Sequence, residues 1–317
     1  MSLTENLVFG LNATLPVFII ILVGMAARKL GLVNDNYVEI ANRFNFRVSL
    51  PIMLFMSMKN SDIAEAFDAE YVVLIVLCTV GELLVAAAAA RVFVRNRYER
   101  GSFAQGAFRG NTALIGLAMI NNMYGESVFA SISLMCAIPV YNAGAVVLLS
   151  LFPQRGETRR RTAGEVIKGI VTNPLIIGTL AGIAASVIRL RFPAPIETSL
   201  KYLSDMTMGT ALICIGASLD LSAFNKKKGT AGLAAVMKLI VLPLIFIPVI
   251  AAAGYKTDAL ASAFIVLGSP TAVNSYIMAV SMNQDSDLAS AVVVMTSFFG
   301  ALTMTAWISV MRSMGLL

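Results

Sequence analysis

The sequence predicts an all-α integral membrane protein of ten transmembrane helices, arranged as two inverted repeats of five spans with broken helices in the fourth and ninth. Three observations carry this reading. Hydrophobic residues make up 58% of the 317 residues and charged ones 13%, against about 25% charged in a soluble domain, so the chain lacks the polar surface to stay dissolved. Long apolar windows recur along its whole length, and at about 20 residues per span ten of them leave room only for connections. Two of those windows, in matching places of the two halves, are crowded with polar and helix-weakening residues.

The spans fall near residues 6–27, 37–58, 70–91, 102–124, 127–152, 168–189, 197–220, 229–254, 258–281 and 287–312. No Lys or Arg precedes Arg28, so the first window lacks the basic region of a signal peptide and is read as a span. Alternate loops carry 14 Lys and Arg, including Arg28 and Lys29, the segment PQRGETRRRTAG, and the run Lys226, Lys227 and Lys228; the opposite loops and termini carry 6. Basic loops stay in the cytoplasm, so both termini are expected outside, in a plasma membrane such as a bacterial inner membrane. The same charge placement accounts for the net charge of +6 without nucleic acid. Residues 1–152 then form the first half, 153–167 a cytoplasmic linker and 168–317 the second half.

An odd number of spans per half reverses the second copy, and inverted repeats are a transporter signature. Spans one and six each hold a proline, Pro16 and Pro174, and spans three and eight each hold one mid-span charge, Glu82 and Lys238. The absence of histidine removes the common zinc motifs and every Ser-His-Asp or Cys-His arrangement. Cys78, Cys136 and Cys214 lie far apart in apolar stretches, which reads as buried thiols rather than a disulfide or metal framework. No cofactor or metal is expected.

The fourth span reads FRGNTALIGLAMINNMYG and the ninth LGSPTAVNSYIMAVSMN. Such segments in corresponding spans point to broken helices whose free backbone groups line a binding site. Asn111, Thr112, Pro270, Thr271 and Asn274 are therefore the leading substrate-binding candidates, with half-helix N-termini offering N–H groups to a carboxylate. Small residues that merely let helices pack closely are the competing explanation.

The chain resembles the auxin efflux carrier family, which includes plant PIN-type carriers and bacterial malonate and malate permease-like members. The resemblance rests on NRFNFRVSLPIMLF in span two, GNTALIGLAMINNMYG in span four, SDMTMGTALICIGASL in span seven and SPTAVNSYIMA in span nine. It implies a ten-helix fold of two inverted repeats, with spans four and nine crossing, related to bile-acid symporters and sodium/proton antiporters. It also implies elevator motion against a scaffold of spans one, two, six and seven that often forms a homodimer. The family's binding asparagine falls on Asn111, and its two crossing prolines are replaced by Ala118 and Asn274. The short central loop matches the bacterial branch.

Ionisable groups at membrane depth are costly and receive separate readings. Arg43 follows Glu39 by four residues and pairs with it on one helix face. Arg109 is expected to snorkel to the cytoplasmic end. Arg47, deep in its helix beside Pro51, is either a bidentate carboxylate contact or an internal partner of Asp205 or Glu82. Glu82 and Lys238 are expected partners, as a proton-trading pair or as a fixed brace, and Tyr141 and Asn142 are wall residues facing the crossing. The function expected is secondary transport of a small organic anion, a carboxylate or dicarboxylate, auxin-like compounds included, without covalent chemistry. The alternatives are a sodium- or proton-coupled carrier, a membrane enzyme using Glu82 or Asp205, and a sensor that binds ligand but moves none.

Overall fold

The computed structural model describes residues 19–60, 68–112, 127–154, 171–218 and 221–317, together with residues 16, 123, 124, 164, 167 and 168. In chain order the helices are α1 (19–29), α2 (Asp35–Phe44), α3 (Leu50–Lys59), α4 (Ala69–Phe93), α5 (Arg100–Phe108), α6 (Val128–Leu151) and α7 (Pro174–Val187). They continue as α8 (Ala194–Ser218), α9 (Leu221–Val236), α10 (Leu242–Ala252), α11 (Thr257–Gly268), α12 (Asn274–Ser281) and α13 (Ser286–Ser313). No strand beyond one isolated bridge occurs among the described residues.

Three stretches of helix among these are long and apolar enough to cross a membrane: Ala69–Phe93, Ile132–Leu151 and Asn225–Ala252. Ser286–Gly300 and Leu302–Ser313, bent by 44°, make a fourth if taken as one span. The helices also present apolar side chains outward, unlike those of a soluble protein. On α4, Leu77 is 62% exposed while Glu82 on the opposite face is fully buried. Val73, Val80 and Leu84 extend the exposed apolar stripe at helical spacing, as lipid requires. Asp68 starts this helix by accepting from the amides of Glu70 and Tyr71, each at 3.1 Å, a side-chain cap for two of the free N–H groups.

Two continuous helices contain a widened π turn, Asn45–Ser49 between α2 and α3 and Met237–Val241 between α9 and α10. The cause is readable in the chain. Pro51 and Pro243 lie just beyond, and a helical proline has no N–H and presses on the carbonyl four residues back. In the second case that carbonyl, Leu239, accepts from Trp307 Nε1 at 3.0 Å instead.

The helices sort into two groups by packing. α3 lies most heavily on α7, and α8 on α3 and α2. In the other group α4 packs on α5 and α6, α9 on α13, and α11 on α6 and α10. The first group is held by glycine seams. A Cβ on Gly24 would collide with the Ile213 carbonyl and one on Gly216 with the Ile21 carbonyl, so α1 and α8 cross backbone to backbone. Gly178 and Gly182 of α7 meet Pro51 and Phe55 of α3 in the same way, at carbonyl distances of 2.6 Å from the added carbon. Small residues four apart are how membrane helices approach this closely.

Several expectations need correction. Pro174 is not internal to its helix: it stands at the first helical position, behind the Asn173 cap that accepts from Leu175 N at 2.9 Å, where its missing N–H costs nothing. Lys226, Lys227 and Lys228 are not in a loop, because α9 begins at Leu221; lysine is a good helix former, and Lys227 is anchored by Glu99 and Asp285 at 2.6 and 2.7 Å. Span four is helical only to Phe108 before its break, and Ala118 lies outside the described residues.

Gly182→Val should destabilise the detergent-solubilised protein by about 1–3 kcal/mol through overpacking. Gly229→Ala, on the same kind of helix but with nothing within 4 Å, should stabilise it by about 0.5–1 kcal/mol. Thermal unfolding of the two variants should therefore shift in opposite directions.

Candidate functional site

Two helices stop in mid-molecule and meet. α5 ends at Phe108 and α11 at Gly268, and both chains continue in extended form. There they form a one-rung antiparallel bridge, Gly110 opposite Thr271. Asn111 N donates to Pro270 O at 2.7 Å and Ala272 N to Arg109 O at 3.1 Å. Gly110 is required at the bridge, since a Cβ there would strike the Ser269 hydroxyl. Thr271 locks the arrangement: its hydroxyl donates to Gly106 O at 2.7 Å and its amide to Thr296 Oγ1 at 3.1 Å.

Breaking a helix away from water leaves carbonyls without partners. Lys238, in the second π turn and fully buried, supplies them. Its ammonium donates to Phe108 O at 2.9 Å and to Leu267 O at 2.7 Å, the ends of both half-helices, and stands 3.7 Å from Glu82 Oε1. A cation at two helix C-termini is also favoured by both dipoles. Glu82 is fully buried and lies 3.0 Å from the Tyr141 hydroxyl, which also reaches Val266 O at 2.9 Å. The Tyr141 ring lies under the Lys238 ammonium at 5.5 Å.

On the far side of this knot is a cavity of about 290 Å³. Arg109, Asn111, Thr112 and Asn274 come to it from the crossing and Tyr141 and Asn142 from α6. Met53 and Leu54 of α3 and Ser204, Asp205 and Met208 of α8 close the opposite wall. The cavity thus lies between the two helix groups. The N-terminus of α12 opens on it with no side-chain cap, and Asn274 Oδ1 has no hydrogen-bond partner.

Of the sequence-derived candidates, the structure brings Asn111, Thr112, Asn274, Tyr141 and Asn142 to one cavity. Pro270 and Thr271 build the crossing without lining it. Arg47 and Pro51 are elsewhere: Pro51 packs on Gly178, and Arg47 borders a second cavity with Glu39 and Asn42. Neither carboxylate proposed for Arg47 is its partner, since Glu82 pairs with Lys238 and Asp205 with Lys201, at 2.8 Å. Arg43 does pair with Glu39. Glu82 is sealed and Asp205 exposed, so the two are not one catalytic pair.

Arg109 is a further residue that sequence reasoning placed wrongly. Instead of reaching for the surface it is 3% exposed, with Nη2 donating to Asn142 Oδ1 at 2.7 Å and Nη1 directed at the Met278 sulfur. No carboxylate pairs with it among the described residues. The available signal was its position one residue before the Gly-Asn of the break.

A helical bundle in which two helices end against each other beside a cavity that collects polar side chains is an arrangement typical of a membrane transport protein. Residues 9–308 match the family model described as membrane transport protein, and the chain belongs to that family, the auxin efflux carriers. Among curated relatives it is 22% identical over 308 residues to the "Putative malonate transporter" of Rhizobium meliloti, covering 94% of this chain and 95% of that protein. It is 22% identical to an uncharacterised transporter of Methanothermobacter thermautotrophicus, at 93% and 96% coverage. It is 20% identical to the uncharacterised transporter YfdV of Escherichia coli K12, at 96% and 99%.

Lys238→Met should destabilise the fold by about 3–5 kcal/mol, because it leaves a buried carboxylate unpaired, with the two half-helix carbonyls exposed in addition. Adding Glu82→Leu to it should recover part of that loss. Denaturant or thermal unfolding of the single and double variants checks the coupling; additive losses would count against the pairing.

Proposed function

We propose that the protein is a secondary transporter of a small organic anion, a mono- or dicarboxylate of malonate size, bound in the cavity between the crossing and α3. The observation that carries this is Arg109: a buried guanidinium on the cavity, held in place by Asn142 and with no carboxylate paired to it among the described residues. A planar fork of donors suits a carboxylate. Asn111, Thr112 and Asn274 supply further polar contacts, and the uncapped start of α12 adds its positive dipole end. The name of the Rhizobium relative agrees with that substrate class.

The packing supports the inverted repeat of ten spans. α1 on α8 and α7 on α3 correspond to spans one with seven and six with two, pairs exchanged by the repeat, and both are glycine seams. Likewise α4 on α6 answers α9 on α13. Glu82 in span three meets its counterpart in span eight, Lys238. The cavity at the boundary of two separately packed groups suits an elevator, in which the group carrying the crossing moves against the group of spans one, two, six and seven. The latter would also serve as the dimer surface. The excess of basic residues at one end of the spans supports an outside position for both termini.

Sodium coupling at the crossing is the weaker reading, because the Lys238 ammonium already occupies the position between the two half-helix C-termini where a coupling cation gains most.

Vesicles reconstituted with the protein should take up labelled malonate, malate or succinate. Arg109→Gln should lower kcat/KM at least about 30-fold, corresponding to ~2 kcal/mol for truncating one partner of a hydrogen-bonded charge pair, and Asn111→Ala should also lower it. Uptake at the parent rate by both folded variants would refute this site; absence of any carboxylate uptake by the parent would refute the substrate class.

A further inference from the structure

The second cavity, of about 430 Å³, lies at the other end of the same two elements. The segment from α2 through the first π turn to α3 gives it Asn42, Arg43 and Arg47 and gives the central cavity Met53 and Leu54. α12 gives the central cavity its first residue, Asn274, and the second cavity its last turns, Val280 and Ser281. At 1.5 Å per residue the two chambers are separated by about 9 Å along each helix. α2 follows the loop of Arg28 and Lys29, so the second chamber opens at the basic-loop end.

These packed elements carry buried polar atoms without hydrogen bonds. They are Asn274 Oδ1 and Ser275 Oγ on α12 and Asn45 Nδ2 on the other side, where the Asn42 side chain meets the Tyr276 hydroxyl. Asn42 is 1% exposed and Asn45 fully buried. Buried groups left unpaired are costly, and native proteins keep few. Such groups on the elements that run between two chambers have a ready explanation if a polar solute uses both.

The cations of the second chamber are not equivalent. Arg43 is engaged by Glu39. No carboxylate pairs with Arg47 among the described residues, and it is exposed on the chamber. We infer that this chamber is a second anion subsite, in which Arg47 and Asn42 hold a carboxylate at the basic-loop mouth of the polar seam, as the station between the central cavity and the cytoplasm. The inference rests on the organic-anion reading for its ligand class.

The test is calorimetric titration of the purified full-length protein with malonate. The parent should bind at two sites. Arg47→Gln should remove the weaker one or raise its Kd at least 10-fold, while Arg47→Lys should keep it within about 3-fold, and Arg109→Gln should remove the other. A parent with a single site that is lost in Arg109→Gln and untouched by Arg47→Gln would overturn the second subsite and leave the central one standing. A single site dependent on Arg47 alone would do the reverse. Vesicle uptake gives a further reading: Arg47→Gln should raise half-saturation about 10-fold for malonate offered at the basic-loop face and leave it unchanged at the opposite face. Equal shifts at both faces, or none, would also overturn the subsite.

Discussion

The structure depends on a lysine ammonium held between the ends of two broken helices. Interrupting a helix in hydrocarbon exposes backbone groups that neither water nor lipid can satisfy, and here two helices are interrupted at one place. Lys238 answers both at once, through Phe108 O and Leu267 O, and Glu82 anchors it from a third helix. The extended strands beyond the breaks then satisfy each other across the Gly110 and Thr271 bridge. Once the C-terminal ends are sealed in this way, what remains open is the opposite polarity: the start of α12 and the polar side chains around Arg109. The knot therefore separates a closed, negative side of the crossing from an open side with donors.

The group that contains this knot is clamped at both ends. At the basic-loop end Lys227 joins Glu99 and Asp285, from two different connections. At the other end Tyr71 packs edge-on against Phe129 at 5.0 Å and in a tilted contact with Tyr255 at 4.9 Å, and its hydroxyl bonds Ser133 and Ala259 O. The neighbouring group has glycine seams and Lys59, which pairs with Glu197 at 2.8 Å and lies over the Phe192 ring. Each group is braced within itself, by charge and aromatic contacts in the first and by close backbone approach together with the Lys59 contacts in the second.

Much of this was legible in the sequence because lipid makes it so. A polar, glycine-rich stretch in an apolar span has few structural explanations, and two in register point to paired breaks, which is where the chain does break. Glu82 and Lys238 were legible for the same reason, since a lone charge at depth needs a partner. What failed was direction. Arg109 was assigned by its nearness to the cytoplasmic end, but the helix ends at Phe108, and the guanidinium is buried against Asn142. Arg47 was assigned to the central site, but it stands in a π turn on the other side of Asn45 and Ser49. The lysines of α9 looked like a loop because positive charge marks loops, and nothing local reveals that Glu99 and Asp285 wait across the fold.

The contrast between the seams bears on how such a molecule could move. Glycine seams depend on carbonyls and α-carbons fitting at one register, and a shift of a residue would drive side chains into backbone. The boundary beside α12 is of another kind. It includes the Tyr276 hydroxyl, 3.0 Å from Ser218 Oγ and in contact with the Asn42 side chain, but Asn45, Asn274 and Ser275 carry buried polar atoms without a hydrogen bond there. A surface that must be stable at two registers cannot rely on bonds specific to one, and polar side chains that accept water or solute in either position meet that need at a cost in stability. On the proposed reading, the same atoms that weaken this boundary in one position are the ones that solvate a carboxylate as the two groups pass.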